Sequence, residues 1–153
     1  MLKLKLLVII ILLASCSTPP PSHYQKGEKY RKQEKYEKAI EAYQLHINQR
    51  LAVKNRPEWE NPYIYLLDIG DIYLSTNQPE KAREHYELAE QKEVKSSYVN
   101  DRYRHLARWH EEQGMLYESI LELNRYKDRD PDLFNLILDR IAKKIVDKES
   151  QAQ

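Results

Sequence analysis

An internal repeat constrains the fold more than any other feature of the chain. The stretch GEKYRKQEKYEKAIEAY, residues 27–43, aligns without a gap on GDIYLSTNQPEKAREHY, residues 70–86. Gly27, Tyr30, Ala39 and Tyr43 stand 43 positions before Gly70, Tyr73, Ala82 and Tyr86. A weaker third copy lies 37 positions further on, with Ala107, His110, Ser119 and Leu123 at the same four places. A recurrence of this length marks a stacked array, in which each unit buries its apolar face against its neighbours. Within the first copy Tyr36, Ile40, Tyr43 and Ile47 recur at three- and four-residue steps, one face of a helix.

The repeats therefore read as helix pairs. Helical pattern begins at Tyr24. A helix is expected from Pro62 to about Ser75, with Asn61 as N-cap and proline at the first helical position. Pro79 opens another to about Gln91. Further helices read from about Ser97 to Gln113 and from Leu116 to Lys127, and Asp130-Pro131 starts a last one to about Lys148. The chain has only three glycines, and charges of both signs are interleaved as on solvated helix faces. The expectation is an all-α protein.

These residues resemble the tetratricopeptide repeat, a helix pair of about 34 residues. In that family a small residue and an aromatic on the first helix meet an alanine and an aromatic on the second. The second copy fits best, with Leu66, Ile69, Gly70, Tyr73, Ala82, Tyr86 and Ala89 in place. The third carries Tyr103, Leu106, Ala107, Gly114 and the closing Asp130-Pro131. The first departs most, with His23 and Lys26 at apolar positions and His46 at a small one, so its first helix is expected to be frayed or half exposed. The resemblance implies a short right-handed α-solenoid of about three helix-turn-helix repeats, at about 20–53, 63–96 and 100–133, within a domain at 24–148. A capping helix follows at about 131–148, and 149–153 reads as a disordered tail. Phe134, Ile137, Leu138, Ile141 and Ile145 form its apolar stripe, with Leu133, Leu136 and Val146 partly off it. Those three either pack on the third repeat or make a contact with a partner or a second copy, a homodimer through the C-terminal helix.

The N-terminus sets the address. Residues 1–5 are basic, 6–13 are unbroken aliphatics, and Ala14 and Ser15 are small, the order of a secretory signal. The apolar run is far short of the ~20 residues a bilayer span needs. Leu13-Ala14-Ser15-Cys16 resembles the bacterial lipobox. That resemblance implies a signal peptide at 1–15, cleaved before an acylated Cys16, with residues 16–23 as the lipidated cysteine and a Pro-rich tether. Cys16 is the only cysteine, so an internal disulfide is impossible. Loss of Lys3 and Lys5 with the signal takes the formal charge from +1 to −1. A balance so near zero argues against nucleic acid as partner. Ser17 is not the aspartate that often retains lipoproteins in the inner membrane, so the expected address is the outer membrane, facing the periplasm.

The sequence offers no catalytic site and no cofactor motif. It has no phosphate-binding glycine loop and no Gly-x-Ser-x-Gly elbow. His105 and His110 are five apart, unlike an i, i+4 zinc pair. His23, His46 and His85 are isolated, and each histidine reads as a surface or groove residue rather than a metal ligand. What remains is a binding surface. In tetratricopeptide proteins the first helices line a groove that holds a partner segment. By position the groove residues here are Tyr24, Glu28, Arg31, Ile64, Leu67, Asp71, Leu74, Asp101, Arg104, Arg108 and Glu111. Ile64, Leu67 and Leu74 would make an apolar middle. Arg104 and Arg108 would grip an acidic group, or else pair with Asp101, Glu111 or Glu112 at helical spacing. The lysine and asparagine clamp that one subfamily uses for chaperone tails is absent. Trp59, in the longest connection, is either a contact or folds back on the first pair. The functional expectation is a membrane-anchored adaptor or assembly factor that binds another envelope protein. The alternatives are a structural subunit of an outer-membrane, pilus or secretion complex, or a peptidoglycan- or glycan-binding lipoprotein.

Overall fold

A computed structural model describes residues 20–151. Cys16 and the apolar run before it, which carry the signal-peptide and lipid-anchor reading, lie outside the described residues. Among the described residues there are seven α-helices and no strand. They are α1 (His23–Lys32), α2 (Tyr36–Leu51), α3 (Tyr65–Ser75), α4 (Pro79–Gln91), α5 (Ser96–Glu112), α6 (Leu116–Tyr126) and α7 (Pro131–Gln151). A 3₁₀ turn at Pro62–Ile64 leads into α3, and another at Lys127–Arg129 precedes α7. Three hairpins, α1–α2, α3–α4 and α5–α6, stack in chain order, and α7 packs on α6. The architecture is all-α and solenoid-like.

The hairpin turns keep the register of the repeat. Glu34, Asn77 and Gly114 each take a left-handed backbone just past the first helix of their pair, with φ of 57°, 58° and 78°. The next N–H then donates back across the turn: Lys35 to Tyr30, Gln78 to Tyr73, Met115 to His110, all at 2.9 Å. This is the six-to-one bond of a Schellman close, which satisfies a helix-end carbonyl. Only the third turn uses glycine, which adopts this backbone without steric cost. The same close ends α4, where Glu93 has φ 59° and Val94 donates to Ala89.

Inside each hairpin the repeat residues meet face to face. A Cβ on Gly27 would lie 2.8 Å from a Tyr43 ring carbon, and one on Gly70 only 2.3 Å from Tyr86. Glycine is thus required by the close approach of the paired helix. Tyr43, Tyr86, Ala39 and Ala82 are all wholly buried. The third pair solves the same packing with Ala107 and Leu123. Ser119, at the alanine position, donates its hydroxyl to the Ala107 carbonyl at 2.7 Å, so its buried oxygen is satisfied.

The first helix, expected to be frayed or half exposed, is half exposed: only Gly27 of α1 is buried. Its start is closed by a reciprocal capping box of Ser22 and Gln25, with bonds of 3.2 and 2.9 Å. Two local expectations are corrected. His110 is a core residue, 6% exposed, rather than a surface one. The last helix continues to Gln151. Its extra turn is held by Glu149 accepting from Tyr117 at 3.0 Å and Ser150 donating to Val146, so residues 149–151 are not a tail. Residues 152–153 lie outside the described residues.

Candidate partner-binding surface

Helices α1, α3, α5 and α7 line one face of the stack, and ion pairs cross every junction between them. Arg31 of α1 lies 3.7 Å from Asp68 of α3. Arg102 of α5 lies 2.9 Å from Asp71 of α3. Asp71 also accepts the Tyr86 hydroxyl at 2.9 Å, and Glu28 accepts that of Tyr43. Tyr43 and Tyr86 thus each point their one polar atom at an inner-face carboxylate, which lets the ring stay buried at no hydrogen-bond loss. Asp68 sits half-buried beside Asp71. Burial, helped by the Asp71 charge, pushes its carboxyl up to about 6, although Arg31 and Arg102 oppose this.

These bonds change the groove expected from the sequence. Leu67 and Leu74 are each 2% exposed. They belong to the core and leave no surface for a ligand, because α3 is the central helix and is covered from both sides. Ile64 is exposed, but it lines a cavity at the end of the stack with Trp59 and Tyr98. Tyr24 packs in an aromatic cluster with Tyr43, His46 and Tyr65, its ring 5.3 Å from that of Tyr65. Glu28, Arg31 and Asp71 are engaged with protein partners. Arg102 and Asp68, which tie the helices together, were missed. Trp59 does not fold back: it is 85% exposed.

The open part of the face is the cleft between α5 and α7, about 570 Å³. Asp101, Arg104, His105, Arg108 and Glu111 form its α5 wall, and Leu133, Leu136, Ile137 and Arg140 its α7 wall. It therefore joins the four α5 groove residues read from the sequence with Leu133 and Leu136, which the sequence offered as a contact of the last helix, and with Ile137 of its apolar stripe. Arg140 was missed, as was the placing of both sets on one cleft. Arg104 pairs with Asp101 at 3.2 Å and Asp130 at 3.5 Å. Glu111 is taken by Arg140 at 2.6 Å and by Lys144. Among the described residues Arg108 makes no ion pair, so its exposed guanidinium keeps its capacity to grip a carboxylate bidentately. Leu133 and Leu136 are 37% and 66% exposed beside it. The cleft combines an apolar wall, a free cation and two bridged ends.

The family model for the tetratricopeptide repeat matches residues 20–47 and 64–91, the first and second copies. The third copy, where alanine and leucine replace glycine and tyrosine, lies outside the match. A search of curated proteins finds no match to the chain. The family model thus detects two tetratricopeptide repeats, in a chain whose described residues take an all-α solenoid-like fold. Such repeats are protein-interaction modules that typically catalyse nothing.

Proposed function

We propose that this protein is a lipid-anchored adaptor of the bacterial envelope that holds a segment of another envelope protein in the α5–α7 cleft. The observation that carries this reading is the unpaired Arg108 beside exposed Leu133 and Leu136, on a face whose other charged junctions are closed by internal ion pairs. The fitting segment has an apolar side chain for the α7 wall and a carboxylate for Arg108. The lipid on Cys16 would confine the search to the membrane surface, most simply the outer membrane facing the periplasm. It raises the effective concentration, so a modest cleft can suffice.

A photo-crosslinking residue placed at Leu136, compared with one at Leu88 on α4, tests the site in intact envelope. One partner captured at Leu136, missed at Leu88 and lost with Arg108→Glu supports the adaptor. Equal capture at both positions overturns the cleft. A second copy captured at Leu136 would instead favour a homodimer through α7. Metabolic labelling with an alkyne fatty acid tests the anchor: label on the parent that is lost in Cys16→Ser supports it, and an unlabelled parent overturns it.

A further inference from the structure

The connections α2–α3 and α4–α5 meet at the same end of the stack as the start of α1. Three contacts fix this arrangement. The ring of Tyr24, in the first turn of α1, lies 5.3 Å from that of Tyr65 at the start of α3. Asn61 donates its side-chain amide to the Lys92 carbonyl at 2.8 Å. Arg50, in the last turn of α2, holds Glu60 through two bonds of 2.5 and 2.6 Å. At this pole Trp59 is the most exposed large apolar side chain among the described residues, and Tyr98 is 47% exposed beside it. Together with Tyr63 and Val94 they surround a cavity of about 800 Å³. The ammonium of Lys92 stands 5.4 Å over Tyr63, and that of Lys95 5.6 Å over Tyr98.

The rim carries Glu58 and Glu93 as well as Lys92 and Lys95, while Glu60 is held by Arg50. A tryptophan thrust into solvent by an anchored loop, beside tyrosine and lysine, matches the chemistry of the bilayer interface. There the amphipathic rings sit at headgroup level and lysine stems run along apolar surface with their charge in water. The length of chain outside the structure selects this occupant. On the anchor reading, residues 17–22 are the whole tether between the acylated Cys16 and the start of α1. Six residues span at most about 20 Å, at ~3.3–3.6 Å each. That is shorter than α5 alone, which has 17 residues and a length of about 25 Å at ~1.5 Å per residue. The pole bearing Trp59 is therefore the part of the domain held against the headgroups.

We propose that the Trp59 pole, with Tyr98, Lys92 and Lys95, is a membrane-docking surface that seats in the headgroup layer and fixes the orientation of the stack. This rests on the lipid-anchor reading. Docking by this pole stands the helices up from the bilayer and leaves the face lined by α5 and α7 open sideways.

The test uses the full lipidated chain in phosphatidylethanolamine–phosphatidylglycerol vesicles with brominated acyl chains. The chain has two tryptophans, so Trp109→Phe makes Trp59 the only emitter. Trp59→Phe/Trp109→Phe/Leu88→Trp places the emitter on α4 instead. The expected result is co-flotation of both proteins, with Trp59 emission shifted to the blue and quenched by bromine while the tryptophan at position 88 is unaffected. Lys92→Gln/Lys95→Gln should make Trp59 quenching weaker. Co-flotation with Trp59 still open to aqueous iodide and untouched by bromine overturns the docking surface and leaves the anchor standing. Failure to float overturns both. Shielding of Trp59 by cell-wall fragments but not by vesicles also overturns it, in favour of a glycan site.

Discussion

The closest approach in the core, Gly70 to Tyr86, gives the sharpest stability prediction. In Gly70→Ala the new Cβ would lie 2.3 Å from Tyr86 Cε1 and 2.8 Å from Cδ1. The ring cannot swing aside freely. It is wholly buried, and its hydroxyl is held by Asp71, which Arg102 holds in turn. Helix propensity alone favours alanine over glycine by about 1 kcal/mol. Overpacking a filled core costs about 1–3 kcal/mol, and straining the Tyr86–Asp71 bond adds about 1 kcal/mol. The net expectation is a loss of about 1–3 kcal/mol. The third repeat holds the relieved solution, with Ala107 and Leu123 at the equivalent places. Tyr86→Leu should therefore remove the collision. On that background Gly70→Ala should be neutral or should gain up to about 1 kcal/mol. Urea unfolding of the four proteins, followed by far-UV circular dichroism, yields a coupling energy expected near 2–3 kcal/mol. The reasoning is refuted if Gly70→Ala is as stable as the parent with Tyr86 in place, or loses the same amount on both backgrounds.

Two titrations give predictions of opposite sign. The Asp68 carboxyl rises from 3.8 to about 6, so the folded state holds this proton more tightly than the unfolded one. Its contribution is thus lost as pH rises from 3.8 through about 6, and Asp68→Asn should stabilise the fold at pH 7 by about 1–3 kcal/mol; no gain in the urea midpoint would refute this. Burial lowers His110 below 6.5, so the folded state resists protonation and stability falls as pH drops below 6.5. Both His110 ring nitrogens are buried without a hydrogen-bond partner, whereas the first two repeats place Tyr30 and Tyr73 there. His110→Phe should raise the urea midpoint by about 1 kcal/mol equivalent and flatten the stability profile just below 6.5; an unchanged acid slope would refute it.

Much of the fold was legible because its punctuation is chemical. Asn61-Pro62, Pro79 and Asp130-Pro131 mark helix starts, and the structure begins α-helix or 3₁₀ turn at each proline. The Ser22/Gln25 capping box was legible in principle, since Ser-x-x-Gln has the required spacing. It was overlooked because His23 and Lys26 break the apolar pattern of the repeat, and a mismatch in packing says nothing about a cap. The groove was less legible. A single sequence does not reveal how many neighbours a helix has. Leu67 and Leu74 hold inner-face positions, yet α3 has a hairpin on either side and buries them. Glu111 had Arg108 within helical reach, but Arg140 and Lys144 arrive from α7 and take it. Local spacing gives partners within a helix, and long-range ones need the stack.

Why the opening falls between α5 and α7 follows from how the stack grows. The helices lining the inner face lengthen along it, from 10 and 11 residues in α1 and α3 to 17 and 21 in α5 and α7. α7 has no paired second helix among the described residues and leans on α6, to which it is tied as far as the Tyr117–Glu149 bond. α7 and the Asp130 just before it meet the charged edge of α5 at two places, Arg104 with Asp130 and Glu111 with Arg140 and Lys144. Positions 104 and 111 are seven residues apart, about 10 Å along a helix at ~1.5 Å per residue. His105 and Arg108 stand between these bridges. A window of that length takes about three residues of extended chain at ~3.3 Å each, or a helix crossing α5 rather than lying along it. A helix parallel to the cleft would have to break the Glu111 bridges and leave a half-buried carboxylate without its cations. On the proposed reading, the cleft would therefore favour a short extended segment with one acidic residue, a narrower specificity than the length of α7 suggests.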